Sequence, residues 1–313
     1  MSPAPVSPAP VVFSAVPTLF GPDGEVDPGA NRALYKLVAG LVDGLFVAGT
    51  TGEFPALEDA ERLWLFELAL AEAGPDRVIA HIGAPDARHA ARLAQATAAL
   101  GAGRIAAITP YYLPVRPDEL AAHYRRIREA APGPELYAYI FPERTGLRVP
   151  PPLFAEVAQA AGLAGAKVSG SAAADLAGYV AAAPGLRIFS GDDSHPAATM
   201  RAGGAGVISG RSSAYPEVYA ALRNQAPRDQ APRDQAPRDQ APRDEARRDE
   251  ARRDDPAQQE RLDRIVALGA SIGRLKHALQ VRGLASADAR MTVDPPDPET
   301  AAAIAAEVAA LIA

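Results

Sequence analysis

A lysine near the end of a short apolar segment is the residue of this sequence best suited to covalent chemistry. Lys167 lies in LAGAKVS, residues 163–169, which is flanked by glycines. An apolar run of this length is typical of a buried β-strand, where an ammonium without a fixed partner loses its proton more readily. A neutral amine is a nucleophile that forms a Schiff base with a carbonyl carbon. The alternative is a side chain that leaves the strand and reaches solvent.

A hydroxyl-rich segment follows the second apolar run of the chain. GTTGE, residues 49–53, supplies the hydroxyls of Thr50 and Thr51 next to the backbone of Gly52. Two hydroxyls and glycine-permitted amides at one point suit the binding of a small carboxylate. The alternative is the start of a helix, with a threonine cap and Glu53 in the first turn.

Phenol and guanidinium groups follow the fourth and fifth apolar runs. TPYY, residues 109–112, ends at Tyr112, and YAYIFPERTG, residues 137–146, contains Tyr139 and Arg144. A phenol ordered against a threonine hydroxyl can transfer a proton, and an arginine can bind a carboxylate through two parallel hydrogen bonds. The alternatives are tyrosines that only pack and an arginine that is exposed to solvent.

The acidic and imidazole side chains do not indicate a metal site. We expect Asp192 and Asp193, in the segment SGDD, to cap the following helix rather than bind a metal. The histidines lack the paired spacing of metal ligands. The sequence therefore predicts no metal and assigns no role to the five histidines, which are His81, His89, His123, His195 and His277.

The composition excludes several classes of function. The 313 residues include 32 Lys and Arg against 38 Asp and Glu, and the net charge of -6 argues against a general nucleic-acid-binding surface. The absence of cysteine excludes disulfides, thiolate metal sites and a cysteine nucleophile. The opening segment MSPAPVSPAPVVF lacks the features of a signal peptide, and no apolar run reaches membrane-spanning length. We therefore expect a cytoplasmic protein with no membrane or nucleic-acid partner.

Apolar runs alternate with segments of helical periodicity along most of the chain. The predicted strands span residues 11–20, 44–49, 78–83, 104–110, 135–141, 163–169, 186–191 and 205–210. The predicted helices between them span residues 28–41, 57–73, 87–100, 117–131, 151–161, 172–182, 195–202 and 216–224. This alternation predicts parallel pairing, and eight such units favour a closed (β/α)8 TIM barrel over an open doubly wound sheet. Reacting groups would then lie at the C-terminal ends of the strands.

Four segments of different composition follow one another in the chain. We predict a mobile Pro/Ala-rich arm at 1–10, the α/β barrel at 11–224, a low-complexity insertion at 225–254, and a C-terminal region of three helices at 255–313. The insertion repeats QAPRD four times and EARRD twice. Because each QAPRD copy carries both charges and a proline, we expect a disordered surface insertion; a segment that binds a partner is the alternative. The predicted C-terminal helices, 258–269, 272–282 and 298–312, would pack on the barrel or on a second subunit.

The order of the motifs is more specific than any one of them. GTTGE, TPYY, YIFPERTG, the strand lysine, SGDD and GVIS occur in the sequence and spacing of the dihydrodipicolinate synthase / N-acetylneuraminate lyase family, which the chain resembles over about residues 12–284. The resemblance is interrupted only at the pentapeptide block. RLKHALQVRGL, residues 274–284, also resembles the helix that the family has there.

The resemblance implies a class I aldolase mechanism in a (β/α)8 barrel. Lys167 would attack pyruvate to form the Schiff base, and Tyr139 would act as the general acid and base. Thr50 and Tyr112 would complete its proton relay. No metal or organic cofactor is needed, because the protonated imine accepts the electrons itself.

The same resemblance implies the groups that bind substrate. Thr51 and the backbone at Gly52 would hold the pyruvate carboxylate, with the backbone of Ile208 close to it. Arg144 would bind a carboxylate on the acceptor aldehyde. The expected partners are a small 2-oxo acid, an aldehyde and further copies of the chain in a dimer or tetramer.

Departures from the family pattern fall on the acceptor side. Ile140 follows the catalytic tyrosine where the synthases commonly carry a polar residue, Phe54 follows GTTGE in place of a small residue, and Val168 follows the lysine in place of an acidic one. We therefore expect a lyase acting on a 2-keto-3-deoxy sugar acid or related 2-oxo acid. The alternatives are 4-hydroxy-tetrahydrodipicolinate synthase, which condenses pyruvate with aspartate semialdehyde, and a catalytically idle 2-oxo-acid-binding or scaffold protein.

Overall fold

Eight parallel strands form a closed barrel in the computed structural model, which describes residues 11–224, 256–284 and 286–312. Each strand pairs with the next in sequence, and β8 pairs with β1. The predicted (β/α)8 barrel is thereby confirmed over the open sheet. The strands are β1 Val11–Ala15, β2 Gly44–Val47, β3 Val78–His81, β4 Arg104–Ile108, β5 Glu135–Ile140, β6 Gly165–Val168, β7 Arg187–Ser190 and β8 Gly206–Ser209.

The strands end earlier than the apolar pattern indicates. β1 ends at Ala15, whereas its prediction ran to residue 20. Val16 and Leu19 are buried in the loop that follows. Apolar character therefore does not mark a strand end here, because loops packed over the barrel mouth are apolar as well.

Helices cover the outside of the barrel close to their predicted positions. The prediction for 172–182 is half right, since the segment begins as a 3-10 turn, Gly170–Asp175, before the helix. The barrel helices are α1 Pro28–Leu41, α2 Asp59–Ala73, α3 Ala87–Ala99, α4 Pro117–Ala130, the short α5 Pro142–Thr145, α6 Pro151–Ala161, α7 Leu176–Ala182, α8 Pro196–Arg201 and α9 Pro216–Asn224.

Three further helices follow in the C-terminal region, α10 Pro256–Ala267, α11 Ile272–Val281 and α12 Pro298–Ile312. Leu262 of α10, Leu275 of α11 and Ile304 of α12 are fully or almost fully buried and belong to the same hydrophobic core as the barrel. Within one chain, these helices therefore pack on the barrel, and their packing on a second subunit stays a prediction.

Residues 286–297 join α11 to α12 and are called the C-terminal strap below. The Ser286 hydroxyl donates to the Phe20 carbonyl at 3.0 Å, and the Arg290 guanidinium binds both carboxylate oxygens of Glu61 at 2.7 Å. Phe20 follows β1 and Glu61 lies in α2. The strap is thus fixed against the loop after β1 and against helix α2.

Two predicted segments, the arm at 1–10 and the pentapeptide insertion at 225–254, lie outside the described residues. Their predicted organisation and the four-segment division stay predictions. None of the described helices is long and apolar enough to cross a membrane.

Candidate active site

A cavity of about 470 Å³ opens at the C-terminal ends of the strands. Parallel barrels carry their reacting groups at this end. Six of the eight predicted site residues line the cavity: Thr50, Thr51, Tyr139, Arg144, Lys167 and Ile208. The other two, the buried Gly52 and the exposed Tyr112, do not line it.

Lys167 is a buried residue of β6, with 6% of its surface exposed. Its Nζ atom lies 4.5 Å from the ring centroid of Tyr139 and 4.7 Å from that of Phe46. Gly191 leaves room for it, since a Cβ atom there would lie 3.2 Å from the Lys167 Cε atom. The lysine does not reach solvent as the alternative reading required, and its amine is held among aromatic faces at the base of the cavity.

The ring of Tyr139 lies beside this amine, and Thr50 lies beside the Tyr139 hydroxyl. The Tyr139 hydroxyl and the Thr50 hydroxyl are 3.2 Å apart, close enough for a hydrogen bond in either direction. Tyr139 pairs with Lys167 across β5 and β6, and Thr50 follows β2. The barrel therefore assembles an amine, a phenol and a second hydroxyl from three different strands.

Tyr112 does not join this group within one chain. Its side chain is 92% exposed, and its backbone has a φ of 82°, in the left-handed region that is costly for a residue with a side chain. The neighbouring Tyr111 packs instead against Phe54, with ring centroids 6.1 Å apart. The role of Tyr112 in a proton relay stays a prediction.

The GTTGE loop is a tight turn and not the start of an α-helix. The Thr18 hydroxyl donates to the Gly52 carbonyl at 2.7 Å, and a Cβ atom at Gly52 would lie 3.0 Å from the Cα atom of Ala48. Neither Thr50 nor Thr51 caps the 3-10 turn that follows or helix α2, and Glu53 adopts a left-handed φ of 55° before that turn. The helix-start alternative is wrong, because α2 begins only at Asp59.

The Glu53 carboxylate lies in the protein interior. It pairs with Lys276 of α11 at 2.5 Å, and both side chains are fully buried. Lys276 was not predicted to be the partner of Glu53. A signal was present: the lysine stands four residues after Ile272, beside Leu275, on the apolar face of the helix.

Arg144 lies in α5, on the rim of the cavity. Its guanidinium lies over the ring of Phe141, 5.6 Å from the centroid, and it is exposed. It makes no ion pair with any described residue, so its charge is available to an anion. Ile208 of β8 is buried and contributes to the opposite wall.

Polar residues without a predicted role also line the cavity and form its polar wall. They carry hydroxyl or carboxylate groups: Ser169, Ser194, Ser271 and Asp294. The strap contributes Asp294 and the loop before α11 contributes Ser271. Their assembly depends on the C-terminal region folding back on the barrel, which no local sequence pattern indicates.

The prediction that Asp192 and Asp193 cap the next helix is wrong. Asp193 is buried, accepts the Ser209 hydroxyl at 2.6 Å and pairs with the Arg211 guanidinium. The Asp192 carboxylate accepts the backbone N–H of Ser194. Helix α8 begins only at Pro196, and its N-terminus has no side-chain cap.

The buried His81 ring bonds to backbone groups at the ends of two strands that carry the site. Its Nδ1 atom lies 2.8 Å from the Ala48 carbonyl and its Nε2 atom accepts the Ile108 N–H at 3.2 Å, which together indicate a neutral ring protonated at Nδ1. Burial and the neighbouring Arg62 guanidinium hold the pKa of His81 well below its ordinary value. The ring therefore links the ends of β2 and β4 without titrating near neutral pH.

Comparisons with known proteins agree with this architecture. Residues 9–231 match the Dihydrodipicolinate synthetase family. The chain is 37% identical over 213 residues to a 4-hydroxy-tetrahydrodipicolinate synthase of Parasynechococcus marenigrum, covering 66% of this chain and 70% of that protein. It is 34% identical over 228 residues to an uncharacterized DapA-like lyase of Halobacterium salinarum, covering 71% and 74% respectively.

Solved structures share the fold at lower identity. A prophage protein of the dihydrodipicolinic acid synthase family from E. coli K12, solved with pyruvate, matches with a TM-score of 0.80 and 24% identity over 97% of this chain and 98% of that one. CdNal from Clostridium difficile, solved with mannosamine, matches with a TM-score of 0.78 and 21% identity over 96% and 98%. The motifs, the closed barrel and the match over 9–231 together show that the chain belongs to the dihydrodipicolinate synthetase family of class I aldolase-type lyases.

Proposed function

We propose that the protein is a pyruvate-dependent Schiff-base lyase that reversibly joins or cleaves pyruvate and an aldehyde. The observation that carries this proposal is the buried Lys167 amine, 4.5 Å from the ring of Tyr139, whose hydroxyl lies 3.2 Å from that of Thr50. Imine catalysis uses an amine in an apolar environment together with a pair of groups that transfer a proton.

The proposed cycle begins when Lys167 Nζ attacks the carbonyl carbon of the 2-oxo acid and water leaves, which forms a protonated imine. In cleavage, Tyr139 takes the proton of the substrate hydroxyl as the carbon–carbon bond breaks, and the aldehyde leaves. The electron pair of the broken bond moves toward the protonated imine, which becomes a neutral enamine. The enamine is then protonated at carbon, and hydrolysis releases pyruvate and the amine. Condensation follows the same steps in reverse and needs no metal or organic cofactor.

The two ends of the substrate have separate binding groups in this proposal. Thr51 and the backbone at Gly52 hold the carboxylate of the 2-oxo acid, next to Ile208. The acceptor part extends toward Arg144 and the polar wall. That wall carries hydroxyls and a carboxylate, which supports a hydroxylated acceptor and hence a 2-keto-3-deoxy sugar acid or related 2-oxo acid as substrate.

The synthase reaction is the second candidate, and Arg144 is the observation that favours it. The guanidinium has no carboxylate partner among the described residues, and a relative at 37% identity carries the name 4-hydroxy-tetrahydrodipicolinate synthase. Aspartate semialdehyde would present a carboxylate to Arg144.

We also propose that the active form is a homo-oligomer in the cytoplasm and that a second copy supplies Tyr112 to the site. The support is the outward position of a phenol whose backbone is held in a costly left-handed conformation.

A turnover assay separates the two candidates. Pyruvate release from a panel of 2-keto-3-deoxy sugar acids would be measured beside pyruvate consumption with aspartate semialdehyde. We expect pyruvate release from at least one sugar acid. Turnover with the semialdehyde alone would replace the lead assignment by the synthase, and no turnover with either would contradict both substrates.

A further inference from the structure

A fully buried ion pair links the loop that is proposed to bind pyruvate to the C-terminal region. Lys276 Nζ lies 2.5 Å from Glu53 Oε1, and both side chains have 0% exposure. Glu53 directly follows Thr50, Thr51 and Gly52 in the chain. The pair itself lines no part of the cavity.

Both partners of the pair also bind the strap. Lys276 Nζ donates to the Asp288 carbonyl at 2.6 Å, and the backbone N–H of Met291 donates to Glu53 Oε2 at 2.7 Å. The Phe20 ring covers the ammonium, with its centroid 4.4 Å from Nζ. The strap is thus bound through two of its backbone groups to one carboxylate and one ammonium.

The strap in turn forms part of the cavity wall. Val293 and Asp294, two and three residues after Met291, line the cavity opposite the barrel strands. The Asp294 carbonyl lies 2.2 Å from where a Cβ atom of Gly273 would stand, so α11 and the strap are in direct backbone contact. Movement of the pair would therefore move both the GTTGE loop and the opposite wall.

Stability alone does not account for such a pair. Removing two charges from water costs about as much as their attraction returns, and apolar replacements of buried pairs are often neutral or stabilising. Glu53 also retains a left-handed φ of 55°, which a residue with a side chain avoids unless its surroundings hold it there. The pair therefore serves chiefly to hold the GTTGE loop and the strap in one fixed arrangement.

We propose that Glu53 and Lys276 are positioning residues that fix the carboxylate-binding loop against the strap and so set the affinity for the 2-oxo acid. This inference rests on the proposed function. Neither side chain touches substrate in this account. Lys167 and Tyr139 stand on barrel strands, so the imine chemistry itself persists when the pair is broken.

The test compares Lys276→Met with Arg282→Met, a control in the same part of the chain. The Arg282 guanidinium is almost fully buried and bonds Glu217 of α9 at 2.7 and 2.9 Å, away from the cavity. Both variants lose a buried cation and leave a carboxylate without its partner, so both are expected to lower the melting temperature. Only Lys276→Met is expected to raise the KM for pyruvate, by about 10-fold or more, with a smaller change in kcat.

A second pair of variants keeps the proposal testable if Lys276→Met does not fold. Glu53→Gln retains the volume and the acceptor for the Met291 N–H but loses the charge, and it is also expected to raise the KM. The double variant Glu53→Gln, Lys276→Met removes the ion pair and the Lys276 contact to the Asp288 carbonyl, so its KM should stay raised. A KM restored to the wild-type value would show that the single variants act only through an unpaired buried charge, and would overturn the positioning role. A pyruvate KM unchanged in the folded variants would overturn the positioning role and leave the pair purely structural.

Borohydride trapping with pyruvate separates this inference from the proposed function. Trapping at Lys167 in the wild type supports the lyase. A raised pyruvate concentration for half-maximal trapping in Lys276→Met or Glu53→Gln supports the positioning role, and an unchanged one contradicts it. Failure of the wild type to trap pyruvate would contradict the lyase itself, whatever the variants do.

Discussion

The hydroxyl of Tyr139 lies 3.2 Å from the hydroxyl of Thr50, although 88 residues separate them in the chain, from 51 to 138. A phenol bonded to a second hydroxyl can pass its proton onward. Thr50→Val keeps the side-chain shape and removes the hydroxyl. We expect kcat to fall by about 100-fold while the imine with pyruvate still forms, because Lys167 is untouched.

The control for this substitution is Thr97→Val, at a buried threonine of α3 whose hydroxyl donates to the Leu93 carbonyl. It removes the same group far from the cavity. Equal losses of kcat in the two variants would contradict a proton-transfer role for Thr50. Steady-state rates beside borohydride trapping make the comparison.

The Arg144 guanidinium is expected to bind a carboxylate of the acceptor. Arg144→Ala should lower kcat/KM for an aldehyde or aldol that carries a carboxylate at that end by at least about 100-fold, because a charge-assisted contact is lost. For an acceptor without that carboxylate, the substitution should change kcat/KM little. Arg148→Ala, at an exposed arginine outside the cavity, is the matched control. Unchanged turnover of the charged acceptor would rule out this role.

Tyr112 is expected to act in the site of another subunit. Lys167→Ala and Tyr112→Phe should each be nearly inactive alone. Mixed oligomers should regain activity, because the Lys167→Ala subunit supplies an intact Tyr112 to a site that retains Lys167. Activity would be measured after co-refolding or co-expression. A mixture no more active than its parts would contradict the shared site.

His123 makes the fold sensitive to acid. Its ring is buried in α4, and burial lowers its pKa from 6.5 to about 4. Between these two pKa values the unfolded state binds more protons than the folded state. The contribution of His123 to the free energy of unfolding is therefore complete above the unfolded pKa and is lost as the pH falls toward 4. For one such group, the loss between about pH 7 and about pH 4.5 is roughly 2 kcal/mol.

Urea unfolding at these two pH values checks the effect. His123→Gln should lose less unfolding free energy on acidification than the wild type does. His195→Gln, which removes an exposed histidine, is the control. If wild type and His123→Gln lose the same unfolding free energy on acidification, groups other than His123 cause the loss.

The alternation of short apolar runs with helical segments was enough to predict the barrel and the position of most candidate site residues. Buried parallel strands are short apolar runs, and the C-terminal end of each strand faces one side of the barrel, so Lys167, Tyr139 and Thr50 had to be close once the topology was known. The direction of Tyr112 could not be predicted, since it depends on one backbone angle, a φ of 82°.

Tertiary partners of charged groups were the other part that the sequence did not reveal. Asp193 precedes a helix, but its carboxylate turns to Arg211, 18 residues away in sequence. Glu53 and Lys276 pair across more than two hundred residues. In each case a buried charge pairs with an opposite charge that the fold brings close, and the spacing of the two residues along the chain does not indicate the pairing.

The proposed function requires that Lys167 form an imine with a 2-oxo acid. The most direct measurement is borohydride reduction in the presence of pyruvate, followed by peptide mass spectrometry of the wild type and of Lys167→Ala. We predict a reduced pyruvyl adduct on Lys167 in the wild type and none in the variant. A folded wild-type protein that gains no adduct, or gains it on another lysine, would contradict the account.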